Sequence, residues 1–196
     1  MFANAIYGMY AELNKTLLSV LDFEESDLEE FQKIATPLSI KRGDRFIKIG
    51  QSIHRIGFIL EGIFEMTYVN AKEVETVIDF FFPGNFVVDY VSYLTNSAAE
   101  TDIRAVSDAT LLIFERKSLD KLYDKNIRFQ KFGRLMAENQ FVQFAKRLRE
   151  GSLPPAERYY KLMAENKQWI QEISQYKIAS YLNISPEWLS KIRKGK

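Results

Sequence analysis

Glu187 and Lys191 stand one helical turn apart in the stretch SPEWLSKIRK, which runs from Ser185 to Lys194. A carboxylate accepts a hydrogen bond from a cytosine amino group, and an ammonium group donates to guanine O6 and N7 or to a phosphate. Residues three and four apart lie side by side on a helix, so Ser185, Pro186, Glu187, Ser190, Lys191 and Lys194 share one face. That face carries the chemistry of base-edge and phosphate recognition. Gln175 and Tyr176 lie at the start of a preceding helix, where unpaired N–H groups and the positive helix end suit phosphate contacts.

Such groups work only if two helices hold them at a fixed angle, and the intervening residues meet that demand. Ile178 and Leu182 face inward from the first helix, and Ala179 sits where the second helix crosses too closely for a larger side chain. Asn183 occupies the tight turn, where a positive φ is needed and Asn is the best choice after Gly. Ile184 fills the corner, Ser185 is an N-cap, Pro186 is suited to the first helical position, and Leu189 and Ile192 complete the inward side. The spacing predicts a helix-turn-helix. Trp188 either packs on the preceding helix or lies against a DNA backbone or thymine methyl.

Charge agrees with this placement. From Phe141 to Lys196 there are 11 Lys and Arg against 5 Asp and Glu, a balance of +6, whereas the rest of the chain holds 16 against 21, a balance of −5. A basic segment on an otherwise acidic chain suits a polyanionic partner. The whole chain has 196 residues, 46% of them hydrophobic, with 15 Phe and 10 Tyr, enough for a folded core in one or two domains. It has no cysteine, which excludes disulfides, thiolate metal sites and thiol nucleophiles. The segment MFANAIYGMY lacks a basic leader region and no apolar run nears the ~18 residues that span a bilayer, so the expected location is the cytoplasm, without membrane association.

Upstream, the pattern divides into three. Leu13, Leu17, Leu18 and Leu21, followed by EESDLEEFQKIA with Ser26 as cap and Glu29 three residues on, predict two N-terminal helices. From Thr36, short apolar runs separated by Gly, Pro and Asn predict strands of a sandwich or barrel-like roll. Ile63, Glu65, Thr67 and Val69 alternate, and Pro83-Gly84 fits a type II turn. After Phe114 comes a short helix capped by Ser118, then one long helix from Arg128 to Glu150 ended by Gly151. Its apolar residues cover more than one stripe and demand two partners. The roll supplies one; the other is an identical helix across a two-fold axis, with Phe132, Leu135, Met136, Asn139 and Val142 as the interface, or else both faces are buried within one chain; Asn139 either sets register or faces solvent.

Roll, long helix and helix-turn-helix, in that order, resemble the CRP/FNR family of bacterial transcription regulators from about Leu28 onward. The resemblance is carried by FILEGIFEMTYV, FFPGNFVVDYVSYL and IASYLNISPEWLSKIRK. It implies an α+β chain. Its parts would be a jelly-roll-like, cyclic-nucleotide-binding-like sensor domain with flanking helices over residues 1–127, a dimerisation helix over 128–150, and a winged helix-turn-helix domain over 151–196. The implied partners are double-stranded DNA, a second copy of the chain, RNA polymerase as a further candidate, and a small-molecule effector of unknown identity. The stretch from Trp169 to Ser174 is too short and too poor in strand signals for much of a wing.

The ligand cassette departs from the cyclic-AMP-binding members. Their Gly-Glu pair, which takes the ribose hydroxyl, reads Val88-Asp89 here, and their phosphate-neutralising Arg falls in SAAET, at Ala98, Ala99 and Glu100. Without that cation the phosphate loses a charge-assisted contribution of about 1.5–3 kcal/mol, which disfavours cyclic nucleotide. Arg104 is the nearest cation able to swing in. Iron–sulfur sensing needs cysteines, and the single histidine, His54, beside Arg55 before a strand, is placed as a surface or turn residue rather than a haem ligand. The aromatic run DFFFPGNFVVDYVSY serves as core or as an apolar effector pocket lined by Phe82, Phe86, Val88, Asp89, Tyr90, Glu100 and Arg104. No catalytic constellation is present, so an enzyme is the weakest reading. The competing reading is a sensing or protein-interaction module whose terminal helices dock on protein, motivated by a chain that stops two residues after Lys194.

Overall fold

The computed structural model describes residues 2–168 and 170–194. Helices α1 (Phe2–Val20) and α2 (Glu25–Lys33) precede eight strands, β1 (Ala35–Ile40), β2 (Arg45–Ile47), β3 (Arg55–Glu61), β4 (Phe64–Val69), β5 (Glu75–Phe81), β6 (Phe86–Val87), β7 (Asp102–Ala105) and β8 (Ala109–Glu115). A short helix, α3 (Tyr90–Thr95), interrupts them between β6 and β7. Helices α4 (Arg116–Lys125), α5 (Ile127–Glu150), α6 (Pro155–Glu165), α7 (Gln175–Leu182) and α8 (Pro186–Arg193) follow. The strands form two antiparallel four-stranded sheets, in the orders β1-β8-β3-β6 and β2-β7-β4-β5. This is the expected α+β jelly-roll with flanking and C-terminal helices.

Three apolar clusters hold the layers together. Phe46, Ile59, Phe64, Val87, Ile103 and Leu111 fill the space between the sheets. Phe31, Phe58, Phe114, Phe129 and Phe132 bind α1, α2, α4 and the first half of α5 to the outside of the first sheet. The third cluster joins Ile63, Val77, Phe80 and Val106 of the second sheet to Tyr159, Ile178, Leu182 and Leu189 of the tail helices. Burial at roughly 25 cal/mol per Å² makes each a cohesive unit, and the third ties the tail to the roll.

Local detail departs from the sequence reading in four places. α2 is capped by Glu24 with Asp27 in a reciprocal capping box, not by Ser26, because a carboxylate at each end of the box satisfies both orphan amides. α4 begins at Arg116 with Glu115 at its cap, not at Ser118, since the Arg116 amide donates to the His54 carbonyl and fixes the first turn directly after β8. α5 begins one residue early, with the Asn126 side chain accepting from the Arg128 amide. No strand follows Glu115 among the described residues, so no wing hairpin flanks α8, and Trp169 lies outside the described residues. The Pro83-Gly84 turn forms as expected: the Asn85 amide donates to the Phe82 carbonyl, and Gly84 takes φ +84°, which a side chain would strain.

Candidate nucleic-acid interface and ligand cassette

In the tail, sequence dictates the corner residue by residue. The Ser174 hydroxyl accepts from the Lys177 amide to start α7, Asn183 ends it in the left-handed region at φ 54°, and the Ser185 hydroxyl accepts from the Trp188 amide to start α8. Ile178, Ala179, Leu182, Leu189 and Ile192 are all buried, and Ile184 is half-buried in the corner. The outward positions Gln175, Tyr176, Ser185, Pro186, Glu187, Ser190, Lys191 and Lys194 are all exposed on α7 and α8 and their caps. The Ser185 hydroxyl and the helix-start amide hold the Glu187 carboxyl below its ordinary range, keeping it an ionised acceptor near neutrality. Trp188 is half exposed, with Lys191 Nζ 5.8 Å from its ring centroid, so it belongs to the outward face rather than to the core.

Two supports for this corner escape a pattern reading. Arg158 of α6 donates from Nη2 to the Leu182 carbonyl at 2.6 Å, placing a cation at the negative end of α7, and the Tyr160 hydroxyl donates to the Ile192 carbonyl at 3.1 Å. Both reach the corner from α6, and neither residue type marks that contact in the sequence.

The tail is also fastened to the second sheet. Lys177 Nζ donates to Glu65 Oε1 at 2.7 Å, where Glu65 is 1% exposed and its other oxygen has no partner among the described residues. The Val77 amide of β5 donates to the Ser180 hydroxyl at 3.0 Å, and Arg147 of α5 pairs with Asp79. A cleft of about 860 Å³ runs along this junction. Its Arg147 and Lys161 are held by Asp79 and by Glu150 and Glu165.

Of the five residues expected at the interface on α5, Phe132 is the one that the fold takes up. Phe132 is 3% exposed and packs within its own chain against Phe23, Phe31 and Phe86; it is not free for a partner. Leu135 and Met136 are half-buried, Asn139 and Val142 exposed. The strongest exposed stripe is Phe141 (71%), Phe144 and Leu148 (65%), at the three-then-four spacing of a coiled-coil seam. The roll takes up the N-terminal half of α5, which moves the free apolar face toward the C-terminal half.

In the cassette the seven candidate pocket residues separate. Asp89, buried, caps α3. Its Oδ1 accepts from the Ser92 amide at 3.2 Å, and its Oδ2 accepts from the Ser92 hydroxyl at 3.0 Å, the Thr101 hydroxyl at 2.9 Å and the Glu100 amide at 3.3 Å. Those four donors fill the usual acceptor capacity of a carboxylate. Arg104 donates to Glu75 at 2.8 Å and lies 3.9 Å from Asp102, so it does not swing into the cassette. Glu100 is exposed. Phe82 packs on the tail cluster, whereas Phe86, Val88 and Tyr90 line a separate cavity of about 410 Å³ between α3, α4 and α5. His54 is exposed, immediately before β3 and outside any turn.

No helix among the described residues is long and apolar enough to cross a membrane, and none of their His, Asp and Glu side chains gather in threes as metal ligands do. No curated protein is detectably similar to the chain. Solved structures of similar fold include FixK2 from Bradyrhizobium japonicum, at 15% identity and a TM-score of 0.70, covering 83% of this chain and 84% of that one. The c-di-GMP-responsive global regulator CLP of Xanthomonas campestris is 14% identical with a TM-score of 0.65, over 88% and 91%. The Thermus thermophilus catabolite activator protein is 14% identical with a TM-score of 0.59, over 92% and 85%. Residues 37–126, which hold the roll and its cassette, match the cyclic nucleotide-binding domain family.

Proposed function

We propose that the chain is a DNA-binding transcription regulator that works as a homodimer. Residues 1–127 would form the sensor, 128–150 the pairing helix and 151–196 the reader. The observation that carries this reading is the division of α8 into two faces. Leu189 and Ile192 are buried, while Ser185, Pro186, Glu187, Ser190, Lys191 and Lys194 are exposed and free of the roll. The structures of similar fold include proteins described as regulators, which supports it.

One such helix reads three or four bases, too few to single out a site in a genome, so a second copy is needed. The Phe141, Phe144 and Leu148 stripe is the surface for it, since an apolar seam of this spacing on a helix pairs with its own image. The two reading helices would then enter major grooves about 34 Å apart. Cyclic nucleotide remains disfavoured as effector: Asp89 is saturated by its own chain and Arg104 is held by Glu75 and Asp102.

The test is retardation of random genomic fragments at low salt, together with sedimentation of the free protein. A dimer that retards DNA, with affinity falling steeply as salt rises and falling further in Glu187→Ala, is the expected result. Phe144→Glu should yield monomers that bind weakly. A complete absence of retardation at low salt favours instead the reading in which α7 and α8 dock on a protein.

A further inference from the structure

The cavity between α3, α4 and α5 is built differently from the nucleotide cassette beside it. None of Asp89, Glu100 and Arg104 lines it. Its walls are largely hydrocarbon, from Phe86, Val88, Phe132 and Met136 among others, and three tyrosines, Tyr90, Tyr93 and Tyr123, stand around it. Among the described residues none of those three phenol hydroxyls has a hydrogen-bond partner, although Tyr93 is buried and the other two are half-buried. None of the three hydroxyls is sealed from solvent, so each is a donor that the acceptor of a bound molecule can take over from water. Burial also pushes all three phenols above their ordinary range, so they remain protonated donors.

The charges at the rim are already committed or balanced. Arg116 donates from Nη1 to the Tyr93 carbonyl at 2.5 Å and lies over the Tyr93 ring, 4.7 Å from its centroid. Arg134 pairs with Glu138, and Asp120 adds a negative charge. Arg116 is in no salt bridge among the described residues, but its charge and that of Arg134 are matched by those of Asp120 and Glu138, so the rim has no surplus of positive charge to receive a phosphate. A space of about 410 Å³ lies within the roughly 300–1,000 Å³ typical of small-molecule sites, and an apolar body with a few convergent donors is their usual composition.

We infer that this cavity binds a compact, uncharged, largely apolar molecule that carries a carbonyl or similar hydrogen-bond acceptor for the tyrosine hydroxyls. The occupant touches α5, the helix that also bears the pairing stripe. Calling it an effector rests on the regulator reading above; binding itself does not.

The probe is prodan, an uncharged naphthalene ketone whose emission reports hydrogen bonding to its carbonyl, titrated into the full chain without DNA. One saturable site per chain is expected, and Leu94→Trp should weaken it at least tenfold. Leu94 lines the rim and is 53% exposed, so the larger ring fills the mouth without entering the core. A Tyr90→Phe, Tyr123→Phe double variant should bind several-fold more weakly and shift bound emission to the blue, an optical change that mere loss of folded protein does not give. No saturable binding overturns the inference. So does binding lost in Phe144→Glu but kept in Leu94→Trp, which would place the probe on the α5 stripe, and so does displacement by cyclic AMP. Retardation of DNA is measured separately, so a failure of the regulator reading leaves the prodan result interpretable.

Discussion

Asp89 and Ser185 each stand immediately before a short helix, and each accepts a hydrogen bond of 3.2 Å from the amide three residues on. Beyond that shared cap the two regions diverge. At the cassette, the carboxylate of Asp89 gathers three further donors and the nearby Arg104 is held by acids. At the tail, the cap and the inward apolar residues maintain the corner, while Glu187 and Lys191 enter no salt bridge among the described residues and Glu187 is engaged only by its own helix start. Polar groups that satisfy one another maintain a shape; polar groups held rigidly but left open are available to a partner.

The largest way to break this contrast is Asp89→Ala. It removes the cap of α3 and orphans the Thr101 hydroxyl and the Glu100 amide, which should cost about 3 kcal/mol in urea denaturation. A variant as stable as the parent would mean that the carboxylate is kept for a ligand after all. Glu65→Ala sharpens the account of how the tail is held. It leaves Lys177 without its buried partner and should cost about 2 kcal/mol, less than for a fully enclosed pair because the lysine is partly in solvent. Amide exchange at Val77 should quicken in the same variant, since the tail also protects that N–H. The smallest effect on folding belongs to Lys191→Ala, within about 0.5 kcal/mol, while its DNA affinity drops and the slope of log affinity against log salt falls by about one. A stability loss comparable with that of Asp89→Ala would turn the outward face into a structural one.

The tail was legible in the sequence because its constraints are local. Asn183 must adopt positive φ, Ser185 and Pro186 must start a helix, and Ala179 must allow a close crossing, all within a few residues of one another. The jelly-roll likewise follows from period-two runs and turn residues. What stayed hidden depends on contacts across long stretches of chain. α5 is apolar on two sides, so periodicity alone does not set which side the roll covers; Phe132 went inward and Phe141 outward. Lys177 and Glu65 are 112 positions apart, and neither residue type announces the other. Asp89 was visible as a carboxylate at a cassette position, but its saturation depends on Thr101 and Glu100 folding back onto it.

The fastening of α7 to β5 has one more consequence. β5 is the last strand of its sheet, so its outer backbone groups have no neighbouring strand to pair with, and a bare border of this kind invites strands from other molecules. The Ser180 hydroxyl answers the Val77 amide there, so the helix that begins the tail corner doubles as a guard against unwanted sheet growth. Any motion that lifts the tail to reposition it would bare that border, and a loosened protein should clump through β5 before it unfolds.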